Sequence, residues 1–400
     1  FCVSITPVTF QNDTYYTIKI GEYIANHGID MMDHFSWHEN LSYTYPHWLY
    51  DFLTYIIYSI ANFKGIYVVT CLLSAILGIS IFTVNSKLNK NEGISFVITI
   101  GALYIIKPYI AARAQLVTFI LFIWTIYFIE KFLEKKKKGY TIGLIVISIL
   151  IANLHVAVWP FFFVLFLPYI GEYVIAVIAD TILYNKIKIF NIKNKIKILT
   201  KKQKNAEKIE QLKKQLEEIQ TRTSKIKIKR EEENKNPYKL KIKRNENVRW
   251  LILIMIICAL TGLLTPIGNT PYTYLYKTMQ GNTTQNISEH LPMTLADNTE
   301  IICTLIVFLA ILIFTKTKIR LSDLFMISGL CYLMLMTRRQ QSIFVLIGSV
   351  ILTRLIINMI KCYKEEELIE IEKVTKNTLV AITLSILMLS QWYSFFNKTF

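Results

Sequence analysis

Long stretches of this chain carry almost no charge, and they limit its fold more than any other feature. Residues 65–84, 114–133, 251–268 and 299–315 are nearly uncharged. Each is close to the roughly 20 apolar residues that cross a hydrocarbon core of about 30 Å. The chain has 400 residues, 53% of them apolar, and it contains about ten such windows. A soluble fold would need amphipathic helices to cover that many apolar segments, and this chain has too few of them. We therefore predict an all-α, polytopic transmembrane helical bundle.

The basic loops determine the predicted orientation. If residues 46–62 form a surface helix and do not cross, every strongly basic short loop falls on one side, as the positive-inside rule requires. A crossing at 46–62 would place all of those loops outside. We predict about 11 crossings, the last at 377–396.

This topology divides the chain into five parts. They are the end of a truncated first helix (1–10), a first extracytoplasmic loop with surface helices (11–62), transmembrane helices (63–185), a basic cytoplasmic insert (186–249), and further transmembrane helices (250–400) with an outer loop at 269–298.

The positive charge is concentrated in the insert. The chain has a net charge of +17, and residues 186–249 hold 22 Lys and Arg against 8 Asp and Glu. A basic chain often binds nucleic acid, but a low-complexity segment beside membrane helices is better explained as a solvated loop on anionic membrane lipids. We expect no nucleic-acid partner. Ile209, Leu212, Leu216 and Ile219 step by three and four, which predicts a short helix within the insert.

Polar residues left outside the membrane converge on one face in this topology. Charged groups at membrane depth are costly and are functional candidates by default. The candidates are Asp13, Asp33, Lys107, Arg113, His155, Glu289, His290, Arg338 and Arg339.

Each candidate also has a purely structural interpretation. Asp13 can cap a helix, and Asp33 is favoured as a turn residue. His155 and the paired arginines can extend to the membrane interface, and residues 289–290 can belong to a loop surface. His34 and His38, beside Asp33, have metal-ligand chemistry, but an ordinary polar loop is the preferred interpretation. We assign no metal.

Several short motifs resemble those of a known family. They are NDTYYTIKIGEYI (12–24), MDHFSW (32–37), YPHWL (45–49), ARAQL (112–116), ANLH (152–155), TPIG (265–268), SEHLP (288–292) and TRR (337–339). Together they resemble the GT-C glycosyltransferases, in particular a bacterial branch near the protein O-mannosyltransferases and lipid A aminoarabinose transferases. Pro46-His47 replaces the doubled proline that is common in related enzymes, and Asp13 has no second acid beside it.

The resemblance implies a GT-C-like enzyme of the bacterial plasma membrane that takes a sugar from a polyprenyl-phosphate donor on the extracytoplasmic side. It implies that Asp13 is a general base or orients the acceptor hydroxyl, with Asp33 as a second catalytic candidate, and that the remaining candidates bind substrate. One of Arg338 and Arg339 is expected to hold the donor phosphate. The acceptor, the sugar and any divalent metal stay unassigned. Two alternatives remain open, a transporter or lipid flippase and a non-catalytic membrane assembly protein.

Overall fold

The computed structural model describes residues 1–179, 182–201, 206–235, 240–280, 287–295 and 298–363. Within these ranges the chain is nearly all helical, and its β-type pairing is limited to the isolated bridges Met32–Ser42 and Lys241–Arg320. The helices are α1 (Cys2–Ile5), α2 (Asn12–His27), α3 (Trp48–Asn89), α4 (Glu92–Ile106), α5 (Ala114–Glu134), α6 (Lys138–Leu154), α7 (Trp159–Val164), α8 (Leu167–Ala179), α9 (Ile182–Lys201), α10 (Ala206–Lys235), α11 (Val248–Leu260), α12 (Thr270–Gln280), α13 (Thr299–Phe314), α14 (Leu321–Met336) and α15 (Gln341–Tyr363).

Among the described residues, four helical segments are long and apolar enough to cross a membrane: Trp48–Asn89, Ala114–Glu134, Val156–Ile178 and Arg338–Cys362. Four shorter apolar helices, with 10–17 residues each, are Lys138–Leu154, Val248–Leu263, Thr299–Phe314 and Leu321–Met336. The prediction of a helical membrane protein agrees with this architecture. The number of about 11 crossings stays a prediction, and its last member at 377–396 lies outside the described residues.

Helix α3 is 42 residues long, about twice what a bilayer requires, and it is broken near its first third. Ala61 (φ −134°, ψ 15°) and Asn62 (φ 51°, ψ −153°) leave helical geometry. The break falls at the end of the predicted 46–62 surface helix. Residues 48–60 and 63–89 are therefore two helical arms, of which the second alone is long enough to span the hydrocarbon core.

The arm before the break packs closely against α2. A Cβ atom added to Gly21 of α2 would lie 2.1 Å from the backbone oxygen of Asp51. Because only glycine allows this approach, α2 lies directly on the first arm of α3. This packing brings Asp13, at the start of α2, towards residues at the start of α3.

Aromatic and aliphatic side chains from the membrane helices form one large core. Its fully buried members include Leu77, Phe119, Phe122, Phe162 and Phe344. Polar side chains join α3 to α15 within it, where Asn89 donates to the backbone oxygen of Val350 at 3.2 Å.

The basic insert contains most of α9 and all of α10, and the two helices contact each other. The predicted helix is confirmed, since Ile209, Leu212, Leu216 and Ile219 all lie on α10 and are half-buried.

Candidate functional site

Arg113 is the centre of a charged cavity of about 180 Å³, which we call the Arg113 cavity. Its guanidinium bridges two acids: Nη2 lies 2.8 Å from Asp13 Oδ2, and Nη1 donates to Glu289 Oε1 at 3.0 Å. Asp13, Arg113 and Glu289 are separated by 100 and 176 residues in sequence. Three of the predicted site residues thus meet in one ion-pair network.

Local structure explains how these groups are presented. Asp13 lies in the first turn of α2, where a negative charge is favoured by the helix dipole, while Gln11 occupies the N-cap position. The structure therefore gives Asp13 a partner in Arg113 and not the capping position. Arg113 is the N-cap residue of α5, and Thr14 ties the two segments together by donating to the backbone oxygen of Ala112 at 3.3 Å.

The first turn of α5 also lines the cavity through Ala114 and Gln115. The first backbone N–H groups of a helix lack partners within it, and the helix dipole adds a partial positive charge there. With the Arg113 guanidinium beside it, this end of the cavity is suited to an anion such as a phosphate.

A histidine–aspartate pair forms another wall. His47 lines the cavity, and its Nδ1 lies 2.7 Å from both carboxylate oxygens of Asp51, which is fully buried. With Asp51 as the acceptor, Nδ1 carries the proton and Nε2 is the acceptor atom of the neutral ring. Thr17, on α2, also hydrogen-bonds to Asp51. These hydrogen bonds hold the pair in place on the cavity wall.

His155 lies deeper in the same cavity and is 4% exposed. Its Nδ1 lies 2.9 Å from the hydroxyl of Thr118, and its ring centroid is 6.3 Å from that of His47. The backbone N–H of Val156 donates to the backbone oxygen of Pro46 at 2.8 Å, which fixes the two histidines relative to each other. His155 is therefore a buried cavity residue and not an interfacial side chain.

The structure separates the two adjacent arginines. Both lie in the 3₁₀ turn Arg338–Gln340 between α14 and α15. Arg339 is half-buried and lines the Arg113 cavity, whereas Arg338 is exposed and lines a neighbouring cleft of about 470 Å³ together with Lys107. Three residues complete each turn of a 3₁₀ helix, so consecutive side chains point in different directions. Arg339 is thus the arginine of the pair that belongs to the site.

Besides Lys107 and Arg338, two further predicted site residues lie outside the Arg113 cavity. Asp33 is in the 28–45 loop, where its Oδ1 accepts from the backbone N–H of Phe35 at 2.9 Å, as the turn interpretation expects. His290 is half-buried in the 3₁₀ turn Ser288–His290, beside Glu289. His34 contacts Asp30 and His38 accepts from Trp37. In the part of the chain that the structure describes, no group of three or more His, Cys, Asp or Glu side chains is placed to hold a metal ion.

Asp30, which the sequence interpretation passed over, organises the 28–45 loop. Its carboxylate accepts from the hydroxyls of Tyr23 and Tyr45 at 2.8 and 3.0 Å and from the backbone N–H of Met32 at 3.1 Å, and lies 2.6 Å from His34 Nε2. Burial acts to raise the pKa of Asp30, but these hydrogen bonds outweigh it and hold the pKa well below the ordinary 3.8. The ionised carboxylate is the form that the loop stabilises.

This gives a pH prediction for the loop. Since the pKa of Asp30 is lowered on folding, its contribution is complete above the ordinary pKa and is lost as the pH falls towards the folded-state value. We expect amide hydrogen-exchange protection of residues 28–45 to hold down to about pH 4 and to fall below it. Asp30→Asn should lower protection at every pH, whereas Asp33→Asn should keep the wild-type profile. Identical profiles for the two variants would show that Asp30 has no special role.

The part of the chain that the structure describes is thus helical, with four segments long enough to span a membrane. Several of its helices begin or end at one charged cavity. No protein-family model matches the chain, and no curated protein matches its sequence.

The sequence interpretation missed the His47–Asp51 pair. Asp51 lies in an apolar run and His47 was noted only for replacing a proline. The available signal was their spacing of four residues at the start of a helix, which places both side chains on one face.

Proposed function

We propose that this chain is a membrane glycosyltransferase that moves a sugar from a polyprenyl-phosphate donor to an acceptor outside the cytoplasm, with a GT-C-like arrangement of about 11 crossings. The observation that supports this most directly is the meeting of Asp13, Arg113, His47 and Arg339 in one cavity. An anion site and two candidate bases side by side are what transfer from a phosphate ester to a hydroxyl requires.

The donor phosphate is proposed to lie between Arg339 and the first turn of α5. Within the described part of the chain no carboxylate pairs with Arg339, so its guanidinium is available as a two-donor fork for phosphate oxygens. The cavity, at about 180 Å³, is smaller than the roughly 300–1,000 Å³ of typical ligand pockets. It accommodates the reacting head of a lipid-linked donor, and the prenyl chain would stay in the bilayer.

The proposed step is a displacement at the anomeric carbon. The acceptor oxygen forms a bond to that carbon while its proton passes to Asp13, and the bond to the phosphate oxygen breaks with its electron pair leaving on the phosphate. The ion pair with Arg113 uses Asp13 Oδ2, so Oδ1 is the oxygen proposed to take the proton. Arg339 and Arg113 stabilise the growing phosphate charge. His47, held by Asp51, is the second candidate base.

The proposed orientation follows from where the basic loops meet. Lys136 lies 3.5 Å above the ring of Trp250, and Lys90, Lys241 and Lys361 line one common hollow. These residues belong to the ends of helices remote from the Arg113 cavity. The positive-inside rule then assigns the basic end to the cytoplasm and the cavity to the opposite side of a bacterial plasma membrane.

Cysteine labelling tests this orientation. Ser42 and Ser224 are both exposed, and they lie in the proposed outer loop and the proposed cytoplasmic insert. In a background without the six native cysteines, two of which are exposed, an impermeant thiol reagent added to intact cells should modify Ser42→Cys and leave Ser224→Cys unmodified. After lysis both should react, and labelling of Ser224→Cys alone in intact cells would reverse the proposed topology.

The transfer itself is tested with the donor pool of a native membrane. Purified protein in detergent is incubated with a bacterial lipid extract, and polyprenyl-phosphate sugars are followed by mass spectrometry. One sugar-loaded species should disappear as the free polyprenyl phosphate appears, which would also identify the sugar. A pool that stays unchanged with every acceptor fraction, or movement of the intact glycolipid across a vesicle membrane, would contradict the transferase and favour a flippase.

A further inference from the structure

A second charged hollow lies at the other end of the helices. It has a volume of about 650 Å³, and we call it the lysine basin. Its cations come from four separate parts of the chain, which are the end of α3, the end of the insert, the segment before α14, and the end of α15. They are Lys90, Lys241, Lys316, Lys318 and Lys361, with Arg320 and Arg354 at the base.

The two arginines at the base are already neutralised. Arg320 and Arg354 each contact both Glu130 and Asp323, at 2.5–3.0 Å. In contrast, within the described residues none of the five lysines pairs with a carboxylate, and the residues lining the basin include no acid. Within the described residues the basin lining therefore carries five lysines without a direct ion pair, of which Lys90 acts at longer range on Glu134.

A neighbouring cation affects the pKa of one basin lysine, Lys318. Burial lowers the pKa of Lys318, and the like charge of Lys241 lowers it further. Two ammonium groups held this close without an anion destabilise each other. A bound anion would relieve that repulsion.

The position of the basin indicates where such an anion comes from. Helix α15 begins at Gln341, next to Arg339 of the Arg113 cavity, and its far end at Lys361 lines the basin. Its 23 residues span about 34 Å, close to the thickness of a hydrocarbon core. The basin thus lies one bilayer away from the Arg113 cavity, at the level of lipid headgroups.

We infer that the lysine basin binds a phosphate-bearing anion, either the headgroup of an acidic phospholipid or a soluble diphosphate. Lysine clusters at this depth are suited to anionic headgroups, and ammonium groups bind phosphate as point charges. The inference does not depend on the proposed sugar transfer, because it uses different residues at the opposite end of the bundle.

The test compares two double variants with equal loss of charge. Lys316→Gln with Lys318→Gln removes basin lysines, while Lys135→Gln with Lys137→Gln removes exposed lysines of the loop before α6. Fluorescent phosphatidylglycerol and inorganic pyrophosphate are titrated separately into protein in neutral detergent. Each basic residue strengthens binding to an anionic surface by about fivefold, so the basin variant should bind about 30-fold more weakly and the control should match wild type.

The two probes distinguish the sources of the phosphate. Selective loss of phosphatidylglycerol binding identifies a lipid headgroup, and selective loss of pyrophosphate binding identifies a soluble ligand. Equal weakening in both double variants, or no binding of either probe to wild type, would overturn the inference. Should the basin variant fail to fold, Lys241→Gln with Lys361→Gln serves the same comparison.

A further variant tests whether acidic residues of the chain itself occupy the basin. Glu365, Glu366 and Glu367 follow α15 in the sequence, so a variant with all three replaced by glutamine is titrated in parallel. Unchanged affinity supports a ligand from outside the chain. Binding that appears only in this variant would show that the chain supplies the anion itself, and would overturn the inference.

Discussion

Replacing Asp13 with asparagine should reduce sugar transfer by about a hundredfold or more while leaving donor binding intact. Asparagine keeps the size of the side chain but cannot take a proton, and a positioned general base contributes about 10²–10⁴ in rate. Asp13 is 60% exposed and its ion pair with Arg113 is of the solvent-exposed kind, worth at most about 1 kcal/mol. Folding should therefore be nearly unchanged. Turnover and donor affinity, measured separately, give the result.

Glu289→Gln is the matched control for Asp13. It removes the other carboxylate bound by Arg113, at 3.0 Å, and leaves Asp13 in place. If the loss in Asp13→Asn came only from releasing Arg113, Glu289→Gln would lose as much activity. We expect it to retain most of its turnover. Near wild-type activity of Asp13→Asn would indicate that His47, and not Asp13, is the general base. His47→Gln would then be the inactive variant.

Replacing Glu130 with alanine should destabilise the fold by up to about 3–5 kcal/mol, because it leaves the partly buried Arg320 and Arg354 with a single acid between them. Glu130 is 11% exposed and contacts Arg320 at 2.5 Å and Arg354 at 3.0 Å. Tyr169 donates to the same carboxylate at 3.1 Å. Asp323 would remain as the acid for both arginines. Denaturant unfolding in detergent measures the change in free energy.

The neighbouring pair of Glu134 and Lys131 provides the control. Glu134 follows Glu130 by four residues on α5, is 50% exposed, and lies 2.7 Å from Lys131. Exposed pairs contribute about 0–1 kcal/mol, so Glu134→Ala should barely change stability. Equal losses in the two variants would mean that the buried network adds nothing beyond an ordinary surface pair.

Helix positions were predictable where charged residues flank an apolar run. Residues 114–133 were predicted as one membrane-crossing segment, and α5 spans Ala114–Glu134. Arg113 precedes that run, and Glu134 and Lys135 follow it. The 46–62 segment was harder, because the helix continues past it and the break at Ala61 and Asn62 is a backbone feature that composition only suggests.

The cavity was predictable to the extent that topology determines which residues share a side of the membrane. Of the nine residues predicted for one face, five line the Arg113 cavity, namely Asp13, Arg113, His155, Glu289 and Arg339. The other four, Asp33, Lys107, His290 and Arg338, do not line it. Sequence order alone does not distinguish Arg339 from Arg338, since that depends on the 3₁₀ turn between two helices.

The buried ion-pair network of Glu130, Arg320, Asp323 and Arg354 was not predicted. Its members are up to 224 residues apart, and only tertiary packing selects partners at that distance. The sequence did contain a signal, because Glu130 and Arg354 lie within apolar helices where an isolated charge is costly. Such residues require a partner, and the structure supplies it.

The most direct measurement of the proposed function is the lipid that remains bound to purified protein. Mass spectrometry of protein released from neutral detergent should detect a polyprenyl phosphate or its sugar-loaded form with wild type and with Arg338→Gln. Arg339→Gln should have lost it, because Arg339 lines the Arg113 cavity and Arg338 does not. Absence of any polyprenyl phosphate from wild type, or equal retention by both arginine variants, would contradict a donor phosphate held in this cavity.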